Sequence, residues 1–452
     1  MTSSELVLSG PGAGNETIPA GYNYVVNTAS VAQTLTGSNV DIVGGTIGSS
    51  YNVSGNSTVA ATGGNNTVSA SGTYVLSFGS GANMVFADGS GTIAAGSGST
   101  SIDAAGSGNL VFAGVGNTAI SSGGAANSIF GSFNGTAGSV TAVLSGANDL
   151  VALGDSSGSV TTAGSGAFVQ GGVPGTTLTV DDTGSHDVFN AYSSNEVATL
   201  GGSAAYLQGG TAGSTLTAVD NGANDTINAL SSNATVTANG TGLVVNGGNG
   251  ALTFVGGADA STVYGGANGS TVSGGSGGVF FGAIGTANSI TGVSGSTSTI
   301  FGTADSSATF GGAGNLIYSA STGNATLNAA SASGNVNAWL PGSGSGADSI
   351  TTGSGNDTLT AGAGSDTLNA GSGTNLFLFV AGQTAGATDY ITDSVANIAN
   401  DTFSFNNYGA APTESVSGGM VTLTLSDNTT VVFTNLTSES QLNGHINIYN
   451  AS

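Results

Sequence analysis

Three aspartates, Asp348, Asp357 and Asp366, stand nine residues apart, and each follows a glycine by two residues: Gly346, Gly355 and Gly364. They lie in GSGADSITTGSGNDTLTAGAGSDTLNAGSGTNLFLF, residues 344–379, where Gly344, Gly353, Gly362 and Gly371 keep the same step and Asn375 takes the next place in the aspartate phase. Carboxylate, amide and backbone carbonyl oxygens are hard donors. Calcium takes six to eight of them at about 2.3–2.6 Å, and a glycine turn can aim carbonyls inward while an aspartate adds charge. The same residues also suit a simpler role, because Asp and Asn accept hydrogen bonds from turn N–H groups without any ion.

The elements that must position these turns are short strands. One apolar residue recurs at steps of eight or nine through Leu76, Val85, Ile93, Ile102, Val111, Ile120 and Ile129, and again through Ile350, Leu359, Leu368 and Phe377. Each unit is a strand-like pentad rich in Val, Ile, Thr and Phe, followed by a turn of Gly, Ser, Asn and Ala. Helix is disfavoured, because an interior glycine costs a helix about 1 kcal/mol and no 3.6-residue period is present. Two units make one flattened coil. The expected fold is therefore all-β, a parallel β-solenoid (β-roll or β-helix) with about 18–19 residues per coil.

A longer repeat overlies this one: AFVQGGVPGTTLTVDDTGSHDVFNA from Ala167 returns 38 residues later as AYLQGGTAGSTLTAVDNGANDTINA from Ala205. It brings Asp149, Asp187 and Asp225 into phase, with Phe168, Tyr206 and Val244 expected one coil beyond each. On that reading these aspartates lie two coils apart, about 9.6 Å, too far to share an ion, and most of the solenoid is metal-free. The rhythm breaks near Trp339 and Pro341. Expected boundaries are an N-terminal β cap over 1–60, degenerate-repeat solenoid over 61–340, metal-binding coils over 341–380, and a C-terminal β cap over 381–452 with a hairpin at SDNTT.

Composition removes several functional classes. The chain of 452 residues has 81 glycines, no cysteine, no lysine or arginine, and a formal charge of −24. Nucleic-acid binding lacks its basic residues, and so does attraction to anionic membranes. No apolar run is long enough for membrane insertion, and the first residues do not read as a cleaved signal peptide. The natural charged partners are cations. With 38% hydrophobic and 5% charged residues, evenly spaced, the chain is expected to fold rather than stay disordered.

GSGADSITT, GSGNDTLTA and GAGSDTLNA resemble the repeat-in-toxin (RTX, hemolysin-type) calcium-binding nonapeptide G-G-x-G-x-D-x-U-x, with the first glycine of the pair mostly replaced. The resemblance implies Ca2+ as cofactor, shared by turns on the same edge of adjacent coils. Asp348 and Asp366 would then close one site, and Asp357 with Asn375 a weaker one on the opposite edge. It also implies an extracellular or cell-surface protein of a Gram-negative bacterium. Export would use a type I secretion system that reads an uncleaved C-terminal segment, here TTVVFTNLTSESQLNGHINIYNAS.

Catalysis is a poor reading. Solenoid polysaccharide lyases and epimerases need basic groups to handle a uronate, and only His186 and His445 are present, in a turn and in the tail. Asp181 and Asp182 are strand neighbours that point to opposite faces, so they make no glycosidase pair. The expected function is a non-enzymatic structural protein that self-assembles as a filament, surface-layer, adhesin or biofilm-matrix subunit. The alternatives are polysaccharide binding or processing and, less suited to a Thr-x-Thr pattern that does not recur, ice binding. Expected partners are other copies of the chain and an extracellular polysaccharide.

Overall fold

The computed structural model describes residues 4–10, 14–133, 135–136, 138–257, 259–274, 278–282, 287–292, 296–302, 307–320, 323–340 and 346–450. Gly344 and Pro341 lie outside the described residues. The chain divides into two units, Met1–Ser232 and Asn233–Ser452.

In the first unit consecutive strands alternate between two parallel sheets. Glu5–Leu8 pairs with Tyr24–Asn27, while the intervening Asn15–Thr17 pairs with Thr34–Ser38. The pattern holds to Thr215–Asp220 and Thr226–Asn228, which pair with strands two places before them. Alternation sends every second side chain inward. Stacking of successive coils aligns Val25, Ile42, Val59, Leu76, Ile93 and Val111 into one buried row, continued to Ile227. Leu35, Tyr51, Val68, Val85, Ile102 and Ile120 form the facing row. The solenoid is thus held by backbone ladders and nearest-neighbour stacking over a narrow core.

Coil length is less regular than the sequence rhythm. Thr58 lies against Val75, a coil of 17 residues, whereas Ile129 lies against Val151, a coil of 22. Residues 1–60, expected as a cap, wind into the same parallel ladder from Glu5 onward. Their turns use fewer glycines, and the coil closes all the same.

The second unit repeats the architecture. Val245, Val263, Phe280, Ile300 and Tyr318 stack in one sheet, and Leu327, Ile350 and Leu368 in the other. Trp339 ends the strand Val336–Trp339 with its ring outward, 51% exposed. Past residue 380 the coils enlarge. Leu376–Val380 pairs with Thr402–Asn406, which pairs in turn with Ile446–Tyr449. Thr413–Ser417, Met420–Thr424 and Thr430–Phe433 form an antiparallel meander, with the second hairpin turning at Ser426–Thr429 and Asn428 at φ 66°. Among the described residues the helical elements are two single turns, Val395–Ile398 and Glu439–Leu442.

Candidate metal centre

The turn aspartates point into the coil. Asp348, Asp357, Asp366 and Asn375 are all at most 4% exposed. Each sits directly before a short strand and accepts a hydrogen bond from the N–H one coil earlier. On one edge Ala325 N–H donates to Asp348 Oδ1 (2.6 Å), Asp348 N–H to Asp366 Oδ1 (3.0 Å), and Asp366 N–H to Asp389 Oδ1 (3.1 Å). On the opposite edge Val336 N–H donates to Asp357 Oδ1 (2.7 Å), Asp357 N–H to Asn375 Oδ1 (2.9 Å), and Asn375 N–H to Asp401 Oδ1 (3.1 Å). The structure therefore brings together Asp348 with Asp366 and Asp357 with Asn375, as the repeat phase implies.

Each column runs further than the nonapeptide phase. Asp389 and Asp401 continue the two edges, and Asp393 accepts from Ala370 N–H (2.7 Å) and Gly371 N–H (3.0 Å). Longer insertions move them out of the nine-residue step. The signal that finds them is the shorter pattern of Asp, any residue, then a buried apolar residue: Asp389 before Ile391 and Asp401 before Phe403, as Asp348 stands before Ile350. Thr352 was also missed; its hydroxyl lies 2.5 Å from Asp357 Oδ2 and 2.9 Å from the Ala370 carbonyl.

Burial sets the electrostatics, offset in small part at Asp401 by His445. Removal from water raises the Asp348 carboxyl to about 6, with the Asp366 carboxylate adding to the shift. Burial likewise carries Asp389 to about 8 and Asp401 to about 6, and pushes Asp357, Asp366 and Asp393 upward. No lysine or arginine exists to offset them. These groups are held neutral by protons or neutralised by a cation from outside.

The glycines show why the turns can stack. A Cβ built on Gly364 would overlap the carbonyl oxygen of Gly346, and one on Gly346 would overlap that of Gly323. On the other edge the corresponding point on Gly355 falls against the Gly334 carbonyl oxygen and 2.8 Å from Asp357 Oδ1. Carbonyl oxygens thus stand where a side chain would be at all three glycines, joined by a carboxylate oxygen at Gly355. An all-oxygen donor set of this kind fits Ca2+. Among the described residues no three His, Cys, Asp or Glu side chains converge on one point, so the rest of a calcium shell would be backbone carbonyls and water.

In the first unit, Asp149, Asp187 and Asp225 occupy the equivalent position. They accept from Asn127 N–H (2.8 Å), Ala167 N–H (2.7 Å) and Ala205 N–H (2.8 Å). They do lie two coils apart. The residues stacked between them are Ala167 and Ala205, not Phe168 and Tyr206, because the coils alternate between 18 and 20 residues instead of a uniform 19. Asp181 faces out and Asp182 in, His186 lies on an exposed turn at φ 60°, and His445 Nδ1 meets the Asp401 carbonyl at 2.9 Å.

A parallel solenoid whose stacked glycine turns bury oxygen donors is a repeat protein built around cation-binding corners. Residues 343–377 match the RTX calcium-binding nonapeptide repeat, in four copies, so the chain carries RTX repeats and Ca2+ is their cofactor. No curated protein and no solved structure matches the chain significantly.

Proposed function

We propose that the chain is a secreted structural protein that assembles with its own copies at the cell surface or in the extracellular matrix and is stabilised by calcium. Asp348 with Asp366 holds one ion, and Asp357 with Asn375 a weaker one, because an amide replaces a carboxylate there. Type I export and a Gram-negative host are the reading most consistent with RTX repeats in an acidic chain.

One observation carries the assembly reading. On the outer face of the second unit Tyr264, Phe281 and Phe301 stack across three coils, with centroids 4.7 and 4.8 Å apart and rings within 9° and 11° of parallel. Tyr264 and Phe301 are 43% and 39% exposed. A contiguous aromatic stripe left in water marks a contact face. The flanking outward residues are Thr262, Val279 and Thr299, all uncharged.

Sedimentation velocity with calcium and with a chelator tests this. Large species are expected only with calcium, and Phe281→Ser is expected to shift them toward monomer. Assembly indifferent to both calcium and Phe281→Ser would overturn the proposal. The same stripe favours a second reading, a stacking platform for sugar rings. Retardation of a monomeric chain in gels containing a neutral polysaccharide, abolished by Phe281→Ser, would select it.

A further inference from the structure

The first unit contains buried acidic pairs that the repeat match does not reach. Asp182 ends the strand Thr177–Asp182, and Asp187 follows on the next turn; both are 0% exposed. One oxygen of each is committed. Asp182 Oδ1 accepts from Thr162 Oγ1 (2.6 Å) and Gly184 N–H (2.7 Å), while Asp187 Oδ1 accepts from Ala167 N–H (2.7 Å). The other two oxygens, Asp182 Oδ2 and Asp187 Oδ2, are buried without a hydrogen-bond donor. Burial raises the Asp187 carboxyl, and that of Asp182 lies close enough to raise it further.

The arrangement recurs 38 residues later. Asp220 Oδ1 accepts from Gly222 N–H (2.9 Å), Asp225 Oδ1 from Ala205 N–H (2.8 Å), and Asp220 Oδ2 and Asp225 Oδ2 are again buried and unpartnered. In both turns a backbone oxygen of the preceding coil joins the pair. The Cβ position on Gly184 falls against Gly164 O and Asp187 Oδ2, and that on Gly222 against Gly202 O and Asp225 Oδ2. Beside Gly184 the Asp182 Oδ1 borders the same point at 3.3 Å, so two carboxylate oxygens and a carbonyl oxygen meet there; beside Gly222 one carboxylate and one carbonyl oxygen do.

We propose that the turns Asp182–Asp187 and Asp220–Asp225 are two further sites for a hard divalent cation of the calcium class, each built within a single turn. Distance between repeats excludes an ion shared by Asp187 and Asp225. It does not exclude this site, because the second carboxylate comes from the end of the same coil's strand. The chain supplies no lysine or arginine that could take the ion's place, and His186 lies on an exposed turn. The first site is the tighter of the two. Asp182 is anchored by the Thr162 hydroxyl from the adjacent coil, whereas the residue stacked before Asp220 is Leu200. A shared proton is the competing occupant.

Equilibrium dialysis of the full chain against radioactive calcium at pH 7.5 decides between them. Asp182→Asn with Asp220→Asn is expected to bind two fewer ions per chain than the parent, and the outward-facing Asp181→Asn to bind the same number. Asp348→Asn with Asp366→Asn reports on the RTX segment separately, so failure there is distinguishable. Circular dichroism confirms the fold. If the double variant does not fold, amide exchange on the parent takes over, with calcium expected to slow exchange at Gly184 and Gly222. A folded double variant with an unchanged ion count, or exchange at those glycines indifferent to calcium, would overturn the proposal and leave the pairs bridged by protons.

Discussion

Glu196 is the least provided-for side chain in the first unit. It is 0% exposed, neither oxygen has a donor, and its inward neighbours in register are Leu178 and Leu216. Burial alone pushes its carboxyl well above the ordinary range. The folded chain therefore holds Glu196 protonated while the unfolded chain ionises it above about pH 4.3. A group whose folded pKa is raised contributes its full stability below the unfolded value and loses it as pH rises toward the folded one. The loss is about 1.4 kcal/mol for each pH unit above the unfolded value, until the folded value is reached. An unsatisfied buried carboxyl adds about 1–3 kcal/mol at any pH.

Glu196→Leu continues the Leu178–Leu216 row and should raise stability by about 1–3 kcal/mol at pH 4, and by about 1.4 kcal/mol more for each further pH unit up to the folded value. For a unit of this size each kcal/mol is a rise in melting temperature of about 2–4 °C. Glu196→Gln should remove the pH-dependent part and keep the unsatisfied polar group. Thermal unfolding followed by circular dichroism from pH 4 to 8 reads both. If both variants keep the parent's pH slope, or if Glu196→Leu is less stable at pH 7, the carboxyl has a partner that this reasoning denies it.

In the calcium-free second unit, Asp348, Asp389 and Asp401 rise to about 6, 8 and 6, so stability should fall as pH climbs from about 4 through these values; a calcium-free melting curve that improves over that range would contradict it. Saturating calcium should reverse the trend, since the ion requires the ionised form. Gly164→Ala sets a methyl against the Gly146 carbonyl oxygen and should cost about 1–3 kcal/mol in denaturant titrations, whereas Gly14→Ala, with open space around it, should be nearly neutral. Asp366→Asn should raise the calcium concentration for half-stabilisation of the second unit by more than Asn375→Ala does, because it removes a charge from the two-carboxylate edge; equal shifts would argue that carbonyls alone hold the ions.

The period made the solenoid legible. A buried residue every eight or nine positions leaves few folds besides stacked two-strand coils, and the inward rows through Leu76 and Ile350 are the ones the spacing singles out. Register was less legible, because a turn can gain or lose residues without disturbing the ladder. The coil joining Ile129 to Val151 has 22 residues and still pairs strand to strand. The role of glycine was half legible. Several turn glycines do take positive φ, as Gly364 does at 142°, but Gly164 and Gly184 do not. They are glycine because the turn beneath presents a carbonyl oxygen where a side chain would stand, a restraint that exists only once coils are stacked. The inward Asp182 and Asp220 were hidden for a related reason. A carboxylate at a strand end reads as a solvated turn until the register puts Thr162 or Leu200 in the adjoining coil beside it.

A chain without lysine or arginine that buries its turn carboxylates cannot complete its own charge balance. Each of these side chains also ties one coil to the next, as Asp366 does when it accepts the Asp348 N–H. The group that needs neutralising is thus the group that joins neighbouring layers, and cation binding becomes part of the folding free energy. In a solenoid that energy acts on nearest neighbours and fades with distance along the stack. Ions held by residues 343–377 therefore stabilise the coils that hold them. Where calcium is scarce and pH is near neutral, burial works against the ionised Asp348 and Asp401 and their coils should be less stable. Where calcium is plentiful, or the medium acidic, the same coils should be more stable without any change in covalent structure.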